Sequence, residues 1–94
     1  MDGKIYLDTL SKALSHIHHF RPRYLVVCLG FDTAKGDPTG SWCLQSKDFK
    51  EMGKRIGMAK CPTLVIQEGG YRTRTIGINA MAFFEGLWKG RFSQ

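Results

Sequence analysis

The sequence lacks long apolar runs and has few cysteines, and each shortage excludes a class of protein. No segment approaches the roughly 20 apolar residues of a membrane-spanning helix. Asp2 and Lys4 interrupt the start with no apolar stretch behind them, which predicts that no signal peptide opens the chain. Cys28, Cys43 and Cys61 have no C-x-x-C or zinc-knuckle spacing. The pattern argues against a disulfide-stapled module and predicts a reducing, cytoplasmic setting without membrane contact.

Acidic residues are also scarce, at 8 against 14 Lys and Arg, so the formal net charge is +6. Such a charge permits an acidic partner. The basic residues are dispersed, however, and their densest cluster is Arg72-Thr73-Arg74. Dispersed charge is more typical of a solvated surface than of a nucleic-acid interface. Nucleic-acid binding is therefore the least favoured hypothesis.

What the chain does contain fits one small folded unit. It has 94 residues, of which 43% are hydrophobic, and it carries no internal repeat or obvious linker. A chain of this size buries a modest core and tolerates no large exposed apolar face. We expect a single domain over residues 1–94.

Apolar periodicity predicts five elements of secondary structure. The predicted elements are a helix over Ile5–Phe20, a strand over Tyr24–Leu29, a helix that begins with Ser46 as N-cap and is broken at Cys61-Pro62, a strand over Thr63–Gln67, and a helix from about Thr75 to Trp88 with Gly90 as its stop. The central strand–helix–strand unit predicts an α/β fold of order α-β-α-β-α, with two parallel strands in a right-handed βαβ unit. Both apolar runs are typical of strands buried on both faces, so we expect a fragment of a three-layer architecture.

Two residues with useful chemistry follow the predicted strands. The run Leu25–Leu29 stops at Gly30 and then presents the carboxylate of Asp32, while the turn after the second strand ends at Tyr71. The carboxyl ends of parallel strands meet at one edge of a sheet, where ligands bind in open α/β folds. On the residues alone, Asp32 is either a ligand or a turn-capping residue, and Tyr71 is either functional or a half-buried aromatic.

Six short motifs, in order along nearly the whole chain, carry a resemblance to a known family. They are Phe20-Arg21-Pro22, Leu25-Val26-Val27, Leu29-Gly30-Phe31-Asp32-Thr33 with Gly36-Asp37-Pro38, Pro62-Thr63-Leu64-Val65, Gln67-Glu68-Gly69-Gly70-Tyr71 and Gly77-Ile78-Asn79-Ala80. Together they resemble the histone deacetylase and acetylpolyamine amidohydrolase superfamily, which has the arginase-deacetylase fold. The resemblance covers the C-terminal third of that fold.

The resemblance implies a zinc-dependent site that removes acetyl groups from lysine or polyamine amines. By resemblance, Asp32 is one of three zinc ligands, and Tyr71 donates its hydroxyl to the substrate carbonyl. The loop around Pro38 and the turn at Gly69 and Gly70 would line the acyl-lysine channel. These residue types suit the chemistry, because a carboxylate binds zinc and a phenol stabilises a developing oxyanion.

The sequence departs from the family where the remaining catalytic groups should be. The family supplies two zinc ligands from an Asp-x-His stretch and its general base from a His-His pair, and this sequence has no Asp-x-His. Its histidines, His16, His18 and His19, fall in the first predicted helix, where we expect them to be exposed. A catalytic zinc takes about three protein ligands. The resemblance therefore implies a chain that is inactive by itself, with zinc absent or weakly bound.

These observations leave several hypotheses open. The first is a truncated zinc amidohydrolase domain that is inactive by itself. The second is a standalone α/β interaction module: two strands and three helices leave faces and edges bare, which predicts a homo-oligomer. In a variant of that idea, histidines of one chain approach Asp32 of another. The third, nucleic-acid binding, would rest on the positive charge.

Overall fold

The computed structural model describes residues 3–30, 44–68 and 73–93, with side chains in the last range from residue 76 onward. Its elements are α1 Gly3–Phe20, β1 Leu25–Gly30, α2 Ser46–Gly57, β2 Thr63–Glu68 and α3 Thr73–Arg91. The predicted α/β order is confirmed. Helix α3 begins earlier and ends later than predicted, and α2 ends at Gly57, four residues before the predicted break at Cys61.

The two strands form a parallel sheet. Their register runs from Leu25 opposite Thr63 to Gly30 opposite Glu68 without a bulge. The backbone N–H of Leu25 also donates to the carbonyl oxygen of Pro62 at 2.8 Å, so the strands enter the sheet together. Parallel pairing requires a crossover connection, and α2 lies in the segment that supplies it.

The sheet is covered on one face. Leu29 is 4% exposed and belongs to the same core as Phe49 and Phe83 from the helices. On the other face, Val26 is 56% exposed and Leu64 60% exposed. The prediction of strands buried on both faces is therefore wrong for the part of the chain that the structure describes, since all three helices contribute to the core beneath one face.

Helices α2 and α3 pack at very close range through glycines. A Cβ atom on Gly53 would overlap the carbonyl oxygen of Phe83, and one on Gly86 would overlap that of Lys50. Gly90 makes the same kind of approach to Lys54, and α3 continues through it to Arg91. The prediction that Gly90 stops the helix is wrong, because close packing and not helix termination explains this glycine.

Polar groups secure two of the helix ends. The N-cap of α2 is Gln45 and not the predicted Ser46: the Gln45 backbone N–H donates to Asp48 Oδ2 at 2.9 Å. At the far end of α3, Lys60 Nζ donates to the carbonyl oxygens of Gly90 and Arg91 at 2.8 and 2.9 Å. A cation at a helix C-terminus also interacts favourably with the helix dipole.

Within the described ranges, no helix combines the length and the apolar character needed to cross a membrane.

Candidate functional site

The carboxyl ends of both strands lie side by side. β1 ends at Gly30 and β2 ends at Glu68, and these two residues are register partners. Neighbouring strands are about 4.8 Å apart. The segments that follow β1 and β2 therefore leave the sheet from adjacent points on one edge, which is the arrangement that the sequence predicts for a shared rim.

The site residues predicted from the sequence lie outside the described residues. Asp32 and Pro38 fall in residues 31–43, and Gly69, Gly70 and Tyr71 fall in residues 69–72. Along the chain, Asp32 comes two residues after the end of β1, and Tyr71 comes three residues after the end of β2. Their roles as zinc ligand, channel lining and oxyanion donor stay predictions.

Two buried residues, Leu29 near the end of β1 and Asn79 in α3, stand out in the described ranges. Leu29, the last side chain of β1 on the covered face, is buried in the core with Phe83 of α3. Asn79, one helical turn before Phe83, is only 5% exposed. Sequence patterns predict no role for Asn79. Its position four residues before the apolar Phe83 does indicate that it lies on the inward face of the helix. Since buried polar side chains are nearly always hydrogen-bonded, Asn79 is a candidate for holding the local structure.

The histidines lie at the other end of the strands. All three are exposed on α1, as predicted. His18 lines a groove together with Pro22 and Cys61, the residues that lead into β1 and β2. A six-residue strand is about 20 Å long. The His18 groove therefore adjoins the amino ends of the strands, and within one chain His18 does not stand at the edge where Asp32 follows.

No metal centre is assembled from the residues in ranges 3–30, 44–68 and 73–93. They contain no group of three or more His, Cys, Asp or Glu that could hold a metal ion. Cys28 is an exposed free thiol on the uncovered sheet face, and Cys61 is a buried free thiol whose Sγ lies 3.5 Å from the carbonyl oxygen of Pro22. The donor set in the described residues therefore does not fit a catalytic zinc, which takes about three ligands.

The clearest electrostatic feature links α2 to α3. Glu85 Oε1 accepts from Lys50 Nζ at 2.9 Å and lies 3.2 Å from Lys89 Nζ. The hydrogen bond from Lys50 lowers the pKa of Glu85 below its ordinary value, and the hydrogen bond to Glu85 raises the pKa of Lys50. All three side chains are well exposed, so this cluster supports the helix packing and forms no enclosed site.

Comparison with known proteins adds the family context. The histone deacetylase domain family matches residues 1–87. The chain is 44% identical over 82 residues to acetylpolyamine amidohydrolase 1 of Pseudomonas aeruginosa, covering 87% of this chain and 24% of the relative. Histone deacetylase 15 of Arabidopsis thaliana is 35% identical over 69 residues, covering 72% of this chain and 12% of the relative.

The fold is also similar to a solved structure. The crystal structure of acetylpolyamine aminohydrolase from Burkholderia pseudomallei superposes with a TM-score of 0.91 at 31% identity. The superposition covers 96% of this chain and 26% of that chain. The present chain thus spans about a quarter of the length of the amidohydrolases that it matches.

Proposed function

Because the chain belongs to the histone deacetylase family, we propose that it supplies one part of a zinc-dependent amide-hydrolysing site and is inactive by itself. The chain is a fragment of a deacetylase domain, spanning about a quarter of its amidohydrolase relatives. The substrate class that we propose is an N-acetylated amine, of the kind named in those relatives. The observation that supports the proposal is the pairing of Gly30 with Glu68, which starts the Asp32 and Tyr71 segments at one sheet edge.

Each of the two residues has a defined role in this proposal. Asp32 would hold zinc through its carboxylate, and a bound zinc would supply polarisation of the scissile carbonyl and activation of water. Tyr71 donates a hydrogen bond to the oxygen on which negative charge develops. The residues around Pro38, Gly69 and Gly70 flank the acyl group. We assign no further zinc ligand and no general base within these 94 residues, because Asp32 is the one ligand that the resemblance assigns and catalytic zinc takes about three.

We further infer a reducing, cytoplasmic setting. Cys28 is a free thiol exposed on the protein surface, and Cys61 is a free thiol in the interior. Exposed thiols persist where the cell keeps cysteines reduced.

The test is hydrolysis of an acetyl-lysine or acetylpolyamine reporter by the purified chain, together with its zinc content by elemental analysis. We expect no hydrolysis and less than stoichiometric zinc. Hydrolysis that is abolished both by a chelator and by Asp32→Ala would overturn the proposal that the isolated chain is inactive.

A graft of the full chain into acetylpolyamine amidohydrolase 1 of Pseudomonas aeruginosa, in place of its matched 82 residues, tests the two residue roles. In an active graft we expect Asp32→Ala to abolish zinc binding and activity. Tyr71→Phe should lower kcat by about 100-fold or more, as loss of an oxyanion donor does, while zinc stays bound. His18→Ala is the matched control and should leave both unchanged, since His18 lies at the opposite end of the strands.

A further inference from the structure

The His18 groove lies where the ends of α1 and α2 meet the entries to both strands. Ser15 and His18 of α1 line it together with Met58, which follows the end of α2, and with Pro22 and Cys61. Its volume is about 460 Å³, and small-molecule sites in proteins span about 300–1,000 Å³. The groove is therefore large enough to hold a small organic molecule.

The walls of the His18 groove are aliphatic. Leu14 and Ile17 of α1 are half-buried along it, and Met58 is 53% exposed. Among the described residues that line the groove there is no Phe, Tyr or Trp. The walls thus offer contact to an aliphatic chain and no large ring on which a nucleotide base could stack.

Arg21 brings an unpaired positive charge to the groove. It is exposed, and within the described ranges no acidic side chain forms an ion pair with it. No Asp or Glu is found among the described lining residues, and the sequence has none between Asp8 and Asp32 or between Glu51 and Glu68. A cleft lined by charge of one sign attracts ligands of the opposite sign.

The backbone conformation of Arg21 favours a smaller residue than arginine. Its φ is 57°, in the left-handed region, and its N–H donates to the carbonyl oxygen of Ile17 at 3.0 Å. Helices commonly end in this way on a glycine, because a Cβ atom makes the left-handed conformation costly. The helix end by itself would favour glycine, so the arginine is better explained by what its side chain does in the groove.

The side chain of Arg55 forms a fixed part of the groove. Its Nε donates to Glu51 Oε1 at 3.0 Å, and its Nη1 donates to the carbonyl oxygen of Leu7 at 3.1 Å and to Ser11 Oγ at 3.0 Å. Glu51 offsets the charge of Arg55, which leaves Arg21 as the permanent unpaired charge among the described lining residues. The Ser11 hydroxyl accepts from Arg55 and keeps its own proton for a ligand.

We propose that the His18 groove binds a medium-chain aliphatic carboxylate such as octanoate, with the carboxylate on Arg21 and the chain against Ile17 and Met58. One unpaired guanidinium matches one carboxylate, whose two oxygens accept its parallel N–H groups. The aliphatic walls favour a saturated chain over an aromatic body. The proposal goes beyond the proposed function and is independent of it, because the groove adjoins the amino ends of the strands and Asp32 follows the opposite ends.

The experiment is calorimetric titration of the full chain with octanoate, hexanoate, butanoate, octylamine and inorganic phosphate. We expect octanoate to bind 1:1, and affinity to rise from butanoate to octanoate by up to about fourfold for each added methylene. Octylamine and phosphate should bind at least tenfold more weakly than octanoate. Three results would overturn the proposal: no binding of octanoate, equal binding of octanoate and octylamine, and phosphate binding as tight as octanoate.

A pair of charge variants tests the position of the carboxylate. Arg21→Gln should weaken octanoate binding by about tenfold or more, as loss of a hydrogen bond between charged groups does. The matched control is Arg23→Gln, which removes the same charge from an exposed residue outside the groove lining and should leave the affinity unchanged. Equal weakening by both variants would indicate general attraction of anions and would contradict the proposed site.

Arg21→Gly separates binding from folding. Glycine fits a φ of 57° without strain, so the urea midpoint should stay the same or rise, while octanoate affinity falls as it does in Arg21→Gln. An Arg21→Gly protein that is folded and binds octanoate like the wild type would overturn the proposal. One that unfolds at lower urea would show that arginine serves the helix end, and would remove the argument that its side chain is there for a ligand.

Discussion

The helix pair α2–α3 and the sheet β1–β2 form contrasting halves of the molecule. In the helix pair, glycines bring the two backbones into contact, and Phe49 and Phe83 are fully buried between the elements. In the sheet, the strands are in register along their whole length, yet half of their side chains face outward. Among the described residues the two helices pack fully against each other, whereas each strand of the sheet is paired along one edge and covered on one face.

This difference indicates which parts of a fold a fragment can keep. Contacts between elements close in sequence order survive because both partners are present in the fragment. A parallel sheet takes its second cover from elsewhere, and here the described residues do not include that cover. The stability of the isolated chain should therefore depend on the helix pair and on the sheet face that carries Val27 and Val65. It should depend very little on the opposite face, which carries Val26 and Leu64.

The largest expected effect comes from breaking the helix pair. Gly86→Ala places a methyl group against the backbone of Lys50, so the helices must move apart, at a cost of about 3 kcal/mol. The matched control is Gly77→Ala on the same helix, where an added Cβ meets nothing within 4 Å, and it should be neutral or stabilise by about 0.5 kcal/mol. Urea unfolding measures both. Equal effects at the two positions would contradict the importance of the close approach.

A smaller effect distinguishes the two faces of the sheet. Val65 contacts the core, while its neighbour Ile66 faces outward. We expect Val65→Thr to lower the free energy of unfolding by about 1 kcal/mol because it brings a hydroxyl into the core, and Ile66→Thr to change it by less than about 0.5 kcal/mol. Thermal or urea unfolding of the dilute chain is the measurement. A loss at Ile66 equal to that at Val65 would mean that something covers this face in solution.

The smallest effect concerns the exposed cluster that links the helices. The pKa of Glu85 is lowered, first through its hydrogen bond with Lys50, so its contribution is present above the ordinary Glu range and is lost as pH falls through the lowered pKa. We expect the stability difference between the wild type and Glu85→Gln to shrink from pH 7 towards pH 3 at low salt. Because the groups are exposed, salt should remove most of the difference. A difference that is independent of both pH and salt would contradict an electrostatic origin.

The sequence predicted the order of elements well because periodicity is a local property. The apolar face of α2 and the two short β-branched runs can each be recognised from a few neighbouring residues. Gly90 was misread because a glycine that ends a helix and one that admits a neighbouring backbone look alike in a single sequence.

The burial of the strands shows a deeper limit. The runs around Val26 and Leu64 predict burial on both faces, yet the described chain covers only one. An apolar run indicates the environment in which a strand is stable, but not whether the covering residues lie in the same polypeptide. The candidate site is limited in a similar way. Asp32 and Tyr71 are recognised by their positions after strands, while the groups they would act with have no counterpart in the sequence.

The register of the sheet has a consequence for how such a site can vary. Val27 and Val65 are partners on the covered face, and Gly30 and Glu68 are partners at the strand ends. A slip of one residue between the strands would turn Val65 outward and displace the exit of β2 by about 3.3 Å. The paired length of the two strands thus determines how far apart the segments that begin at residues 31 and 69 leave the sheet. An insertion after the end of a strand changes only the segment that follows that strand. A deletion within a strand changes the distance between the starts of both segments.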